Sequence, residues 1–223
     1  SFKTELAGYR KTLAAPYLTD KNTNESLLKE AYERLKTEVR ASHILVRVAD
    51  NALPKDTLEA WTRMNIIRNA VLGKFPTQAD LNHYEKLLKN STMVGPHVKK
   101  GDSTWYKAKL MPLKNLADIA KGAADNFPVI ASRTSDDPSV VENKGDLNYF
   151  SAFDMVYPFE SAAYNTKEGE VSPIVRTRFG YHTLKVYDKR PAQGEISVSH
   201  IMVKLPKNAT EEDKANAKAK ITE

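Results

Sequence analysis

Cysteine is absent from the 223 residues. That excludes a disulfide framework, a cysteine nucleophile and a thiolate zinc site. His83 and His97 have no second ligand at a recognisable metal spacing, so both read as surface residues and neither a metal nor another cofactor is expected. No apolar run approaches the roughly 18 residues that cross a bilayer. The opening Ser1-Phe2-Lys3-Thr4 also lacks the apolar core of a signal peptide, so stable membrane insertion is not expected. A net charge of +6 is a mild excess that reads as a well-solvated surface. The lysines between Lys214 and Lys220 come without aromatic interleaving or a phosphate loop, so nucleic acid is not an expected partner. With only 9 glycines and 41% hydrophobic residues, the chain is neither fibrous nor disordered and can build a sizeable core in one or two domains. It does not start with methionine and stops inside a helix-like pattern, so a processed or excised piece is expected.

Periodicity predicts an amphipathic helix over residues 24–37, with Leu27, Leu28, Ala31 and Leu35 at helical spacing and Asn24 or Ser26 as N-cap. The run Val39-Arg40-Ala41-Ser42-His43-Ile44-Leu45-Val46-Arg47-Val48 is β-branched and apolar, which predicts a buried strand. A helix over residues 57–72 is expected to bury Leu58, Trp61, Met64, Ile67 and Val71. Residues 80–89 read as helix and residues 93–102, with Gly95, Pro96 and Gly101, as loop. Another helix is expected over residues 115–126, followed by a turn or capped loop at Ser135-Asp136-Asp137-Pro138-Ser139. Asp146-Leu147-Asn148-Tyr149-Phe150 reads as a short strand, and Pro158 suits the opening of a short helix through Tyr164. Glu168-Gly169 makes a turn, and strands over residues 172–177 and 181–187 join at Arg178-Phe179-Gly180. Strands and helices mix without strict alternation, so the fold class is α+β.

One internal repeat organises the chain. Ala41-Ser42-His43-Ile44-Leu45-Val46-Arg47-Val48 is echoed by Val198-Ser199-His200-Ile201-Met202-Val203-Lys204-Leu205, far beyond any solenoid period, which implies duplicated domains. Between the copies, Pro191 and Gly194 suit a linker.

Six segments in order resemble the signature of parvulin-type peptidyl-prolyl cis/trans isomerases. They are Ser42-His43-Ile44-Leu45-Val46, Ser135-Asp136-Asp137-Pro138, Gly145-Asp146-Leu147, Met155 with Pro158-Phe159-Glu160, Gly169-Glu170-Val171-Ser172-Pro173-Ile174-Val175, and Phe179-Gly180-Tyr181-His182. Gly-Asp-Leu alone would mean little; the order makes the match specific. The resemblance implies an N-terminal helical segment (residues 1–38), a parvulin-type domain (residues 39–191) and a linker with the truncated start of a second such domain (residues 192–223). It implies a parvulin-like (FKBP-like) fold, a small antiparallel sheet wrapped by helices, with the cleft on the concave face of the sheet. Residues 73–113 are an insert that typical parvulins lack, expected to form a lid or a partner surface. Where the family often has Gly-Gly-Asp-Leu-Gly, this chain has Lys144-Gly145-Asp146-Leu147-Asn148. Asn148 suits a left-handed backbone, whereas Lys144 would bring a cation near the cleft.

By the same resemblance, Leu147, Met155 and Phe159 form a proline socket, with Phe179 closing one edge, and His43, Asp137 and His182 form the catalytic polar set. His200 repeats His43 but is assigned no activity. The implied activity is isomerisation of X-Pro bonds in unfolded, proline-containing client polypeptides. The tandem arrangement is similar to exported bacterial members of SurA type, which implies a periplasmic or otherwise extracytoplasmic site of action. The loop after the first strand, residues 49–56, holds two acids and one lysine, so phosphate-directed specificity is not expected. The alternative is a chaperone module that holds unfolded chains with little or no turnover. A passive groove gains little from His43, His182 and Asp137 together, so the three side chains favour the enzyme.

Overall fold

The computed structural model describes residues 21–92, 103–194, 202–205 and 208–222. Two long strands, β1 (Thr37–Arg47) and β4 (Gly180–Pro191), form the centre of an antiparallel sheet whose edges are β2 (Asp146–Phe150) and β3 (Val175–Thr177), in the order β2-β1-β4-β3. Positions 41–46 of β1 are buried without interruption, as expected of a strand covered on both faces. Directly opposed residues of an antiparallel pair share a face. Leu45 lies opposite His182 and His43 opposite Leu184, so these four point to one side, while Ile44, opposite Thr183, points to the other.

The larger core lies on the Ile44 side. Here Ile44 and Val46 pack against α2 (Pro54–Val71), α3 (Gln78–Asn90), α4 (Ser103–Lys114), α5 (Leu116–Ala120) and α6 (Asn126–Thr134), through Met64, Ile67, Tyr84, Leu88, Leu113 and Phe127 among others. On the histidine side, Val39, Ala41, Leu184 and Val186 pack with Phe150 and with Phe159 and Ala163 of α8 (Tyr157–Asn165). Among the described residues, the remaining helices of this unit are α1 (Lys21–Arg34) and the single turn α7 (Val140–Asn143). The chain divides into two compact units, residues 1–192 and 193–223, and the second carries α9 (Glu211–Thr222).

Three expectations are corrected. The first helix starts at Lys21 and ends at Arg34, so neither Asn24 nor Ser26 caps it, and the chain is already in β1 at Thr37. In α2, Leu58 and Trp61 are 48% and 44% exposed while Glu59 and Arg63 are buried. The helix is therefore rotated from the face that hydropathy selects, because Glu59 and Arg63 find buried partners. The helix expected over residues 115–126 is two, since α5 ends at Ala120, Gly122 turns at φ 76° and α6 starts after the Asp125 cap, whose carboxylate accepts from the Phe127 N–H at 3.0 Å. Residues 202–205 carry no regular structure, and His200 lies outside the described residues.

The insert is built into the core. Its helix α3 opens with a reciprocal Thr77–Asp80 capping box and buries Leu81, Tyr84 and Leu88, and α4 buries Leu110 and Leu113. These helices wall the side of the sheet away from His43 and His182; the loop over residues 93–102 lies outside the described residues, as does His97. Among the described residues, no helix is long and apolar enough to cross a membrane.

Candidate active site

His43 of β1 and His182 of β4 are diagonal neighbours on one face of the sheet, and their Nδ1 atoms approach to 3.4 Å. On the far side of His43, Nε2 lies 2.6 Å from Asp137 Oδ2; on the far side of His182, Nε2 lies 2.8 Å from Thr177 Oγ1. The four side chains form one row.

Chemistry fixes the direction of the row. Burial alone would raise the Asp137 carboxyl, but hydrogen bonds from the Ser139 N–H and from His43 prevail and hold it below its usual value, so it is an acceptor. His43 Nε2 therefore carries hydrogen and its Nδ1 is the acceptor; His182 Nδ1 donates to it and His182 Nε2 accepts in turn. Thr177 fits the last place, because its oxygen accepts from the Phe179 N–H at 3.1 Å and its hydroxyl hydrogen is available to His182. Both imidazoles are neutral at neutral pH. Burial lowers His43 despite the opposing pull of Asp137, and burial, joined by repulsion from His43 once that ring is protonated in acid, lowers His182 to about 3.

Asp137 is placed by its neighbours. Ser135 Oγ accepts from the Leu45 N–H at 3.1 Å, the Asp136 N–H donates to Leu45 O at 2.7 Å, and an Asp136 carboxylate oxygen accepts from the Arg47 N–H at 3.0 Å. The segment thus pairs with the end of β1. Buried Arg63 of α2 anchors it, with Nη1 at 2.8 and 2.9 Å from the two Asp136 oxygens and Nη2 at 2.7 Å from Thr134 O. Gly145 O accepts from the His43 N–H at 2.9 Å. The left-handed backbone expected at Asn148 is present at φ 57°, and Lys144 takes φ 54° with its side chain exposed.

Phe159 stands edge-on to both imidazoles, its ring 5.6 Å from His43 at 82° and 5.3 Å from His182 at 81°. It is 3% exposed and forms the floor, while half-buried Leu147 and Met155 pack against the same cluster. Phe179 is different. At 49% exposure it lines a shallow depression of about 420 Å³ with Leu45, Arg47, Val48, Ala49 and Arg178, and its tie to the row is the backbone bond to Thr177. Six of the seven candidate residues therefore gather around the Phe159 ring or the imidazole row, and the seventh stands at the rim. Thr177 and Arg63 complete the arrangement without a motif to mark them. In Arg63 the available signal is a charge at the spacing of Ala60 and Ile67, which are core positions. His83 stands on α3, and among the described residues no group of three or more His, Cys, Asp or Glu could hold a metal ion. The row itself presents neither a nucleophile nor a proton to give.

Residues 93–188 match the family described as Rotamase, PPIC-type PPIASE domain, a span that includes every candidate residue except His43. The chain is 32% identical over 171 residues to the "Foldase protein PrsA" of Geobacillus kaustophilus (strain HTA426), covering 76% of this chain and 56% of that protein. It is 38% identical over 77 residues to the "Chaperone SurA" of Alcanivorax borkumensis, covering 34% of this chain and 18% of that one. A solved peptidylprolyl isomerase (PrsA) from Bacillus anthracis overlaps 74% of this chain and 48% of its own at 25% identity, with a TM-score of 0.37, too loose an overlap to add weight. The chain thus spans little more than half the length of the first of these relatives.

Proposed function

Because the chain carries a PPIC-type parvulin domain, we propose that it is a peptidyl-prolyl cis/trans isomerase acting on X-Pro bonds of unfolded or folding polypeptides outside the bacterial cytoplasm. One observation carries the reading: the hydrogen-bonded row Asp137–His43–His182–Thr177, with both imidazoles neutral, lies against the edge-on ring of Phe159, beside half-buried Leu147 and Met155.

The barrier to rotating a peptide bond, about 18 to 20 kcal/mol, comes from carbon–nitrogen double-bond character. No covalent bond has to be made or broken, so catalysis requires only that the twisted amide be held more tightly than the planar one. Each 1.4 kcal/mol or so of that preference gives about tenfold in rate. In this reading Leu147, Met155 and Phe159 hold the pyrrolidine ring, Phe179 closes one edge, and the apolar surroundings strip water from the amide. The row's hydrogens are committed to internal bonds. His43, His182 and Asp137 therefore act by fixing the polar surroundings of the twisting amide, not by moving a proton. Clients would be proline-containing unfolded chains, a class that suits relatives named foldase and chaperone. Residues 39–191 are read as the catalytic domain and residues 192–223 as a linker with the start of a second.

The test is cis-to-trans relaxation of short X-Pro peptides with the wild-type chain and with Met155→Ala and Asp137→Ala. Acceleration over the uncatalysed tens to hundreds of seconds, reduced in both variants, is the expected result. A folded wild-type chain that accelerates none of the peptides yet slows aggregation of an unfolded client would replace the enzyme with a holding chaperone.

A further inference from the structure

The proline socket is tied to a helix that lies outside both the 93–188 family match and the domain expected from residue 39 onward. Arg34, the last residue of α1, is 7% exposed and meets Glu160 of α8, 4% exposed, with Nη1 at 2.9 Å from Oε1. Its Nη2 donates to Ser161 Oγ at 3.0 Å and is also paired with Glu30. The guanidinium carbon lies 5.4 Å from the centre of the Tyr157 ring and 5.1 Å from that of Tyr164. Tyr164 Oη in turn donates to the carbonyls of Arg34 and Thr37, at 3.0 and 2.6 Å. Such a planar cation, held between two rings and a carboxylate, has little freedom to move.

Glu160 passes this constraint on. Its second oxygen accepts from the Phe153 N–H at 2.8 Å, and Phe153 has φ 76°, a left-handed backbone that a non-glycine residue holds only when its surroundings impose it. The short loop it belongs to carries Met155 and enters α8, where the Phe159 N–H bonds to Val156 O at 2.9 Å. One carboxylate therefore divides its oxygens between the preceding helix and the loop of the socket. We infer that Arg34 is a positioning residue for the proline socket, setting the placement of Met155 and Phe159 through Glu160 and Phe153, so that the segment before the domain controls how the cleft receives proline. Without the guanidinium, Glu160 is a buried carboxylate lacking its counter-ion, and its hold on Phe153 loosens.

The kinetic consequence rests on the isomerase reading, so the test has two readouts. In Arg34→Met, kcat/KM for an X-Pro peptide is expected to fall about tenfold, mostly through KM, with partial recovery in Arg34→Lys. In the same samples the Met155 methyl and Phe153 amide resonances are expected to move while the His43 and His182 ring nitrogens stay in place, a pattern that general loosening would not give. A folded Arg34→Met chain with both resonances unmoved, or with KM changed by less than about twofold, overturns the inference. Should that variant not fold, Glu160→Gln, which keeps an acceptor for Phe153 and drops the ion pair, is held to the same criteria. If the wild type shows no isomerase activity, the functional reading falls, and the two resonances still decide whether Arg34 sets the loop.

Discussion

Gly145 and His43 meet backbone to backbone: the His43 N–H donates to Gly145 O at 2.9 Å, and a Cβ on Gly145 would stand 2.6 Å from His43 O. The same glycine has φ +90°. Alanine here meets two penalties, a left-handed backbone and a collision with a strand that cannot retreat, because β1 is buried on both faces. Gly145→Ala is expected to destabilise the chain by at least about 1 to 3 kcal/mol in urea denaturation. Isomerase activity should fall with it, since relief of the collision has to displace His43. Stability within about 0.5 kcal/mol of wild type would mean that the approach is looser than the geometry states.

A buried neutral imidazole makes stability depend on pH in one direction. Burial, joined by repulsion from His43 once that ring is protonated in acid, lowers His182 from its ordinary 6.5 to about 3, and burial lowers His43 as well. Both groups bind protons more readily in the unfolded chain. The His182 contribution is complete above about 6.5 and is lost progressively as pH falls toward about 3, and that of His43 is lost in the same direction. The urea midpoint is therefore expected to drop between about pH 7 and pH 4.5, before most carboxylates titrate, with a slope of up to about 1.4 kcal/mol per pH unit from His182 alone. His182→Leu should flatten that slope. An equally steep decline in the variant would assign it to other groups.

How much of this was legible in the sequence depended on whether a residue's partners were near in the chain. The strand around His43 announced itself because six consecutive positions are buried, leaving a run rich in apolar and β-branched residues from Val39 to Val48. The turn at Glu168-Gly169 and the short helix after Pro158 were equally plain, since local backbone preference decides both. Arg63 and Glu59 went the other way. Hydropathy assigns such charges to solvent, yet Glu59 is wholly buried with its carboxylate 2.6 Å from Tyr84 Oη, and Arg63 is buried on Asp136, 73 positions away. Both bonds are non-local and turn α2 away from the face that Leu58 and Trp61 suggest. Thr177 sits at the end of a three-residue strand, and only the fold reveals that its hydroxyl faces an imidazole.

Placing the insert in the core has a measurable consequence. Leu88 of α3 is fully buried among residues of the larger core, so Leu88→Ala is expected to cost about 2 to 5 kcal/mol. Tyr84→Phe removes the hydroxyl that the buried Glu59 carboxylate accepts at 2.6 Å and is expected to cost about 1 to 3 kcal/mol. Neither residue touches the histidine face. At a temperature where both variants are fully folded, kcat/KM should equal that of wild type. A lid would give the opposite signature, altered kinetics with little loss of stability.

The row of side chains also makes a statement about hydrogen atoms that can be read directly. Since Asp137 is ionised and 2.6 Å from His43 Nε2, His43 is expected to be the Nε2–H tautomer. Its Nδ1 is then an acceptor 3.4 Å from His182, so His182 is expected to be the opposite, Nδ1–H tautomer, with Nε2 accepting from Thr177 at 2.8 Å. Ring-nitrogen chemical shifts distinguish the two forms, and each histidine supplies one protonated and one bare nitrogen. Thr177→Val removes the only donor that the described residues provide to His182 Nε2 and also the acceptor of the Phe179 N–H. The variant is expected to lose about 1 to 3 kcal/mol and to shift the bare nitrogen of His182, whereas Thr177→Ser keeps both bonds and stays near wild type. Finding His43 protonated on Nδ1 would reverse the whole row. It would then require a protonated Asp137, against the hydrogen bonds from Ser139 and His43 that hold that carboxyl below its usual value.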